Sequence, residues 1–237
     1  MNPIELKNHL ILSVSVIDPN SSVQMKALVC IAQYGEDVSW TKVLRRHGCT
    51  VVIYDKQRMV NVGREQETFL RFIIQYFNAL RKYDRVLFLQ ANPFDHVDIQ
   101  CVVESLTSKS PVTCLGRLIA CDSFGQRCHP GLPVREKWRQ LAVPGGEPNK
   151  MRWLFSAGSQ YAVDPALLLH FPRYWWRWWH ELVYSEKMCA WTSERLWLEV
   201  LVVAIKARRA KQRGVVDVQV GRVNSNNFKR RNHAVAS

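Results

Sequence analysis

The chain has 237 residues, 47% hydrophobic and 22% charged, with a net charge of +13. That length and balance suit one globular α/β domain and exclude a disordered chain. No apolar run reaches the ~18 residues that cross a bilayer, so no transmembrane segment is expected. The seven cysteines, an odd number with no C-x-x-C pair, argue against a disulfide framework.

Residues 1–24 carry weak signals and end in the turn-rich "DPNSS". The apolar "HLILSVSVI" has no convincing cleavage site, so no signal peptide is expected and the chain reads as cytoplasmic. "KALVCIA" reads as a strand and runs into the polar "QYGED". "SWTKVLRR" is a short helix with Ser39 as its expected N-cap. "CTVVIYDK" is a second strand, "MVNVGR" a loop, "EQETFLRFIIQYFNAL" a helix and "RVLFL" a third strand. This β-α-β-α-β order, with nearly continuous apolar strands, predicts a mostly parallel sheet covered by helices on both sides.

A helix near "VDIQCVVESL" follows, then single strands at "VTCLGRLIA" and "FSAGSQYAV" on either side of a short helix around Trp138. Asp164 and Pro165 fit the N-cap and first position of the next helix. "FPRYWWRWWHELV" and the long "TSERLWLEVLVVAIKARRAKQR" complete the chain's regular elements. Three regions result: a segment 1–24, an α/β domain 25–205 and a basic extension 206–237. Between Lys206 and Ser237 nine Lys or Arg stand against one acid, Asp217. Such a concentration predicts a polyanionic partner, DNA among them, with a solubilising tail as the plainer alternative.

Ligands of open α/β sheets bind beyond the carboxyl ends of the strands. Here those ends are polar: Gln33, then Asp55 and Lys56, then Gln90, Asn92, Asp95 and His96. Asn61 and Arg64 flank a glycine before a helix N-terminus, where free N–H groups suit a phosphate. The set suits a nucleotide diphosphate carrying a reactive group.

"NVGREQETFLRFI", "VLFLQANPFDH", "LGRLIACDSFGQRCHPGLP" and "SERLW" resemble the signatures of the family known as domain of unknown function 3431, over roughly residues 27–203. The succession of strands and loops is also similar to the first half of GT-A glycosyltransferases. That second resemblance implies a GT-A-like (Rossmann-like) sheet and a nucleotide-sugar donor held by Gln33, Asp55, Lys56, Asn61, Arg64, Gln90 and Asn92. It implies a divalent metal, Mn²⁺ or Mg²⁺, at Asp95 and His96. Where the family's D-x-D carboxylates belong, this chain has Gln90 and Asn92, and amides hold cations less well.

Glu194 is the candidate general base; a first-turn acid is its plainer reading. Asp95 also fits as the N-cap of the next helix, with Asp98 as its third-position acid. Phe171, Trp175, Trp178 and Leu182 share one helical face and predict core. Trp176 and Trp179 point elsewhere and, with Gln160, are the acceptor-contact candidates. A non-catalytic nucleic-acid-binding protein on a degenerate α/β core is the alternative from another class.

Overall fold

The computed structural model describes residues 25–126 and 129–213. The expectations for residues 1–24 and for the tail beyond Arg213 fall outside the described residues.

The fold is mixed α/β. Strands β1 (Ala27–Gln33), β2 (Thr50–Asp55) and β3 (Arg85–Gln90) are parallel and alternate with helices α1 (Thr41–Arg46), α2 (Arg64–Tyr76) and α3 (Ile99–Leu106). β4 (Val112–Cys114), β5 (Leu118–Asp122), β6 (Gly125–Gln126) and β7 (His129–Pro130) precede α4 (Val134–Leu141). β8 (Arg152–Ser156), β9 (Tyr161–Val163), α5 (Pro165–Leu168), α6 (Arg173–Tyr184) and α7 (Ala190–Gln212) follow. The central sheet has the order β2-β1-β3-β9-β4, with β9 antiparallel to both neighbours. A second, antiparallel sheet has the order β7-β6-β5-β8.

The apolar runs of β1 and β3 are continuous because both faces are covered. Leu28, Cys30, Val86 and Phe88 pack with α2, α6 and α7. Val29, Ile31, Leu87 and Leu89 pack with Leu44 of α1 and with Val102 and Leu106 of α3. Each such side chain contributes about 2 kcal/mol by leaving water.

The runs expected as single strands are each broken in two. β4 pairs with β9 and β5 pairs with β8, so residues 112–122 and 152–163 form one long ribbon that passes from the central sheet into the second. At the crossing, Leu115 N–H bonds the Gln160 carbonyl while Leu118 sits opposite Ser156. Two residues therefore face three, Ala157, Gly158 and Ser159, which makes a bulge. Gly158 (φ 70°) and Ser159 (φ 51°) both adopt the left-handed conformation there.

Two expected caps differ. α1 is preceded by Trp40, whose side chain makes no capping bond, and Ser39 bonds Asp37 instead. α3 is capped by Asp98, whose carboxylate accepts from Gln100 N–H, so Asp95 is not the cap. Asp164 caps α5 as expected. α7 runs unbroken through residues 205 and 206, so the basic extension begins as the last turns of a core helix. Among the described residues, no helix is long and apolar enough to cross a membrane.

Candidate functional site

The polar groups that converge do so at the carboxyl ends of the parallel strands, on the face covered by α2 and α7. The bulge aims two groups into this place. Gly158 N–H donates to Glu194 Oε1 at 2.7 Å. Ser159 Oγ accepts from Gln66 Nε2 at 2.9 Å. Gln66 is fully buried and fully used: its Nε2 also reaches Glu65 at 3.1 Å, and its Oε1 accepts from the Trp197 indole at 2.6 Å. Gln90, at the end of β3, lies against Gly158 so closely that a Cβ there would stand 3.0 Å from its amide.

Glu194 lies in the second turn of α7. Its other oxygen, Oε2, accepts from Arg195 Nη1 at 3.0 Å. Burial pushes this carboxyl up; Arg195 and the Gly158 N–H pull it down, the nearby Glu65 charge pushes it up again, and the net shift is upward. A sliver of the Glu194 side chain, 11%, reaches solvent, as does 12% of Glu65. Arg195 is buried and works as a hub. Besides Glu194 it donates to the Trp191 carbonyl and to His129 Nδ1, at 3.1 Å, and its guanidinium lies 4.6 Å from the Phe155 ring centroid. An arginine only donates, so Nδ1 accepts and the proton of the neutral imidazole is on Nε2. Burial and the Arg195 and Arg64 charges lower the His129 pKa, which favours the neutral ring.

Arg64 opens α2 at the rim of this cluster, its side chain largely exposed and 3.6 Å from Glu65. It is itself left-handed (φ 49°), directly after the left-handed Gly63. Two successive pairs of such residues, 63–64 and 158–159, thus border one place. Backbone strain of this kind concentrates at functional sites.

The remaining expected site residues divide by sheet face. Gln33 and Asp55 are paired in register and, by strand alternation, follow Ile31 and Ile53 onto the α1 and α3 side. Gln90 follows Phe88 onto the α2 side. Gln33 and Asp55 share the Gln90 end of the sheet but not its face. Gln33 Nε2 donates to the Glu36 carbonyl, and Asp55 accepts from Gln57 N–H beside Arg58. Asn61, Asn92, Asp95 and His96 are exposed. Among the described residues no three His, Cys, Asp or Glu side chains converge, and Asp95 and His96 stand as two exposed donors, a carboxylate and an imidazole.

Three expectations meet buried side chains. Lys56 is 3% exposed, and its ammonium faces the fully buried Glu67 at 2.7 Å and the Val62 carbonyl rather than a ligand. Trp176 and Trp179 are fully buried, stacked with each other and against Trp197 in the core, so they do not face an acceptor. Gln160 is also fully buried and, by the alternation of β9, shares the face of Ala162, away from Glu194.

Of the expected residues, the structure therefore brings Arg64, Gln90 and Glu194 together. It adds Glu65, Gln66, His129, Gly158, Ser159, Trp191 and Arg195. Arg195, Glu65, Gln66 and His129 stand in the motifs quoted above and Gly158 in the "FSAGSQYAV" stretch, but their convergence depends on pairings that no local pattern encodes. Comparison with family models, curated proteins and solved structures returns no match.

Proposed function

We propose that the protein is a glycosyltransferase of GT-A-like fold that moves a sugar from a nucleotide-sugar donor to an acceptor hydroxyl. The observation that carries this reading is Glu194: a carboxylate with a raised pKa, fixed by Gly158 and Arg195 at the carboxyl ends of parallel strands. A carboxylate whose pKa is raised is a stronger base than an ordinary one and takes a proton more readily. In the proposed reaction Glu194 takes the proton of the acceptor hydroxyl. The acceptor oxygen bonds the sugar's anomeric carbon, and the electron pair of the breaking bond leaves with the nucleotide diphosphate. Arg64 holds the diphosphate, since its exposed pair with Glu65 is weak and easily exchanged. Gln33, Asp55, Asn61, Gln90 and Asn92 edge the nucleotide across the end of the sheet. Were a divalent metal bound, Asp95 and His96 would hold it together with the diphosphate oxygens, whose charge it would offset; no step is assigned to it.

A thermal-shift and turnover panel of nucleotide sugars tests the reading. Stabilisation by one donor, and turnover lost in Glu194→Gln, support it; no response to any donor, with and without Mn²⁺, rejects it.

A second reading has its own observation. Lys206, Arg209, Lys211 and Arg213 are exposed at the end of α7, remote from Glu194 along the helix, and fit a DNA backbone without using the site.

A further inference from the structure

Beside Glu194 stands a pair of aromatic side chains that the reaction above leaves unused. Trp191 is 41% exposed although it carries the largest side chain available to a helix's first turn. The His129 ring stacks on it, with centroids 4.7 Å apart and planes 29° from parallel. Trp191 and Glu194 are three residues apart on α7 and so lie on one face of the helix.

The pair is held rather than merely exposed. Arg195 fixes His129 through Nδ1, fixes the first turn of α7 through the Trp191 carbonyl, and fixes Glu194, all from a buried position. Burying a guanidinium is costly, and its bonds here lock an exposed ring pair into register with a carboxylate. The His129 Nε2–H is left as a donor at the edge of the pair. A flat apolar face, one N–H donor and a carboxylate together describe a site for a ring with an apolar face and hydroxyls at its edge.

We propose that Trp191 and His129 form a platform for the ring of a neutral carbohydrate, the acceptor of the transfer. The proposal deepens the transferase reading and rests on it for the word acceptor. Charge selects the class of ligand. The Arg195 charge is spent on Glu194, and Arg64, which lies over the Trp191 ring 5.8 Å from its centroid, is the cation committed to the donor's diphosphate. A ring carrying phosphates would meet Glu65 and Glu194 with no uncompensated cation beside them, whereas a polyol meets acceptors for its hydroxyls. A surface cavity of about 430 Å³, lined by Phe124, Pro133 and Arg139, has Gly131 in its wall, two residues beyond His129.

The test is binding without donor, by titration calorimetry of the full chain. The probes are methyl glycosides and tri- to hexasaccharides of glucose, mannose, galactose and N-acetylglucosamine, beside a single-stranded oligonucleotide. At least one neutral oligosaccharide should bind. Trp191→Ala should weaken it roughly tenfold, the scale of one lost aromatic contact, with Trp191→Phe recovering much of the loss. Tyr174→Ala, an exposed aromatic on α6, should leave it unchanged. No saccharide binding, or equal binding in Trp191→Ala, overturns the platform. Oligonucleotide binding with the same Trp191 dependence overturns the neutral ring. Nucleotide-sugar hydrolysis by water, measured on the same samples, separates the two readings. Hydrolysis without saccharide binding rejects the platform alone. Saccharide binding without response to any nucleotide sugar rejects the transferase, and with it the acceptor role.

Discussion

The Glu194 carboxylate accepts a 2.7 Å hydrogen bond from the backbone N–H of Gly158, 36 residues earlier. The donor belongs to a bulge in the ribbon between the two sheets, and the acceptor to the helix that crosses behind it. A regular ladder would have directed that N–H to a neighbouring strand. The extra residue turns it toward α7 instead, so the bulge and Glu194 make sense only as a pair.

Glu194→Gln is expected to lower turnover about 10²–10⁴-fold, the usual contribution of a general base, while donor binding persists. In the unmodified protein the base must be ionised, so kcat/KM should rise with pH. Burial places that rise above the ordinary carboxyl value of 4.5. Arg195 pulls the Glu194 pKa down, so Arg195→Gln should move the rise to still higher pH. A pH profile whose acid limb lies at or below 4.5, or moves down in Arg195→Gln, would contradict the assignment.

Gly63 and Gly158 should respond differently to alanine. Both are left-handed, a conformation that costs an L-residue about 1–2 kcal/mol. At Gly63 the new methyl would also stand 2.3 Å from Val183 Cγ1 and 2.9 Å from Glu67 Cβ, deep in packed structure. At Gly158 it would meet only the flexible amide of Gln90, at 3.0 Å. Gly63→Ala should therefore lose about 3 kcal/mol or more, and Gly158→Ala about 1–2 kcal/mol together with a displaced Gln90. Urea denaturation of both variants compares the losses; equal losses would mean that the α2 entry is looser than its contacts imply.

The parallel half of the fold was legible because its signals are local. Ala27–Gln33, Thr50–Asp55 and Arg85–Gln90 are apolar runs bounded by polar residues, and α2 carries its own stripe. The ribbon was not, because Gly116 and Gly158 mark its crossing only through each other's strand: a Cβ on Gly116 would lie 2.4 Å from the Ala157 carbonyl oxygen. Trp176 and Trp179 were misplaced by about one position of helical phase. The buried arc of α6 includes Trp175, Trp176, Trp179, Leu182 and Val183, wider than the stripe of Trp175, Trp178 and Leu182 because α2 packs against it and Trp197 of α7 meets Trp176 and Trp179. Glu194 was visible as a candidate. Arg195, which positions it, looked like any helical arginine until the second sheet brought His129 to its other side.

Glu67 should prove to be a structural anchor. It lies in the first turn of α2, yet it is fully buried and bonded to Lys56 (2.7 Å), Arg71 (2.7 Å) and His180 (2.8 Å). Burial alone would raise its pKa, but hydrogen bonds from His180, Lys56 and Arg71 outweigh it and hold the carboxyl at about 2. A carboxyl depressed from 4.5 to about 2 stabilises the fold at all pH above the unfolded value, and that stabilisation fades as pH falls through this window. Glu67→Gln should cost about 3 kcal/mol at neutral pH, since it strands a buried ammonium. Urea midpoints of the two proteins should converge as pH approaches about 2.5. A gap that stays constant down to that pH would show that the loss is one of packing.

The basic end of α7 should bind duplex DNA through one stripe. Lys206, Arg209 and Arg213 recur at helical spacing and share a face, whereas Arg208 turns to the body of the protein and pairs with Asp164. The three exposed cations are available to phosphates without any change in fold. Each phosphate neutralised contributes about −0.9 to the slope of log affinity against log salt, so three contacts contribute roughly −3. Replacing all three by Gln should make the slope shallower by about that amount, with circular dichroism unchanged because the positions are exposed. Cations that serve only solubility would leave the slope where it was. Donor turnover should be the same in both proteins, since the stripe begins three helical turns beyond Glu194. A fall in turnover alongside the slope would place the polyanion in the reaction itself, and would set it against the neutral ring expected on Trp191.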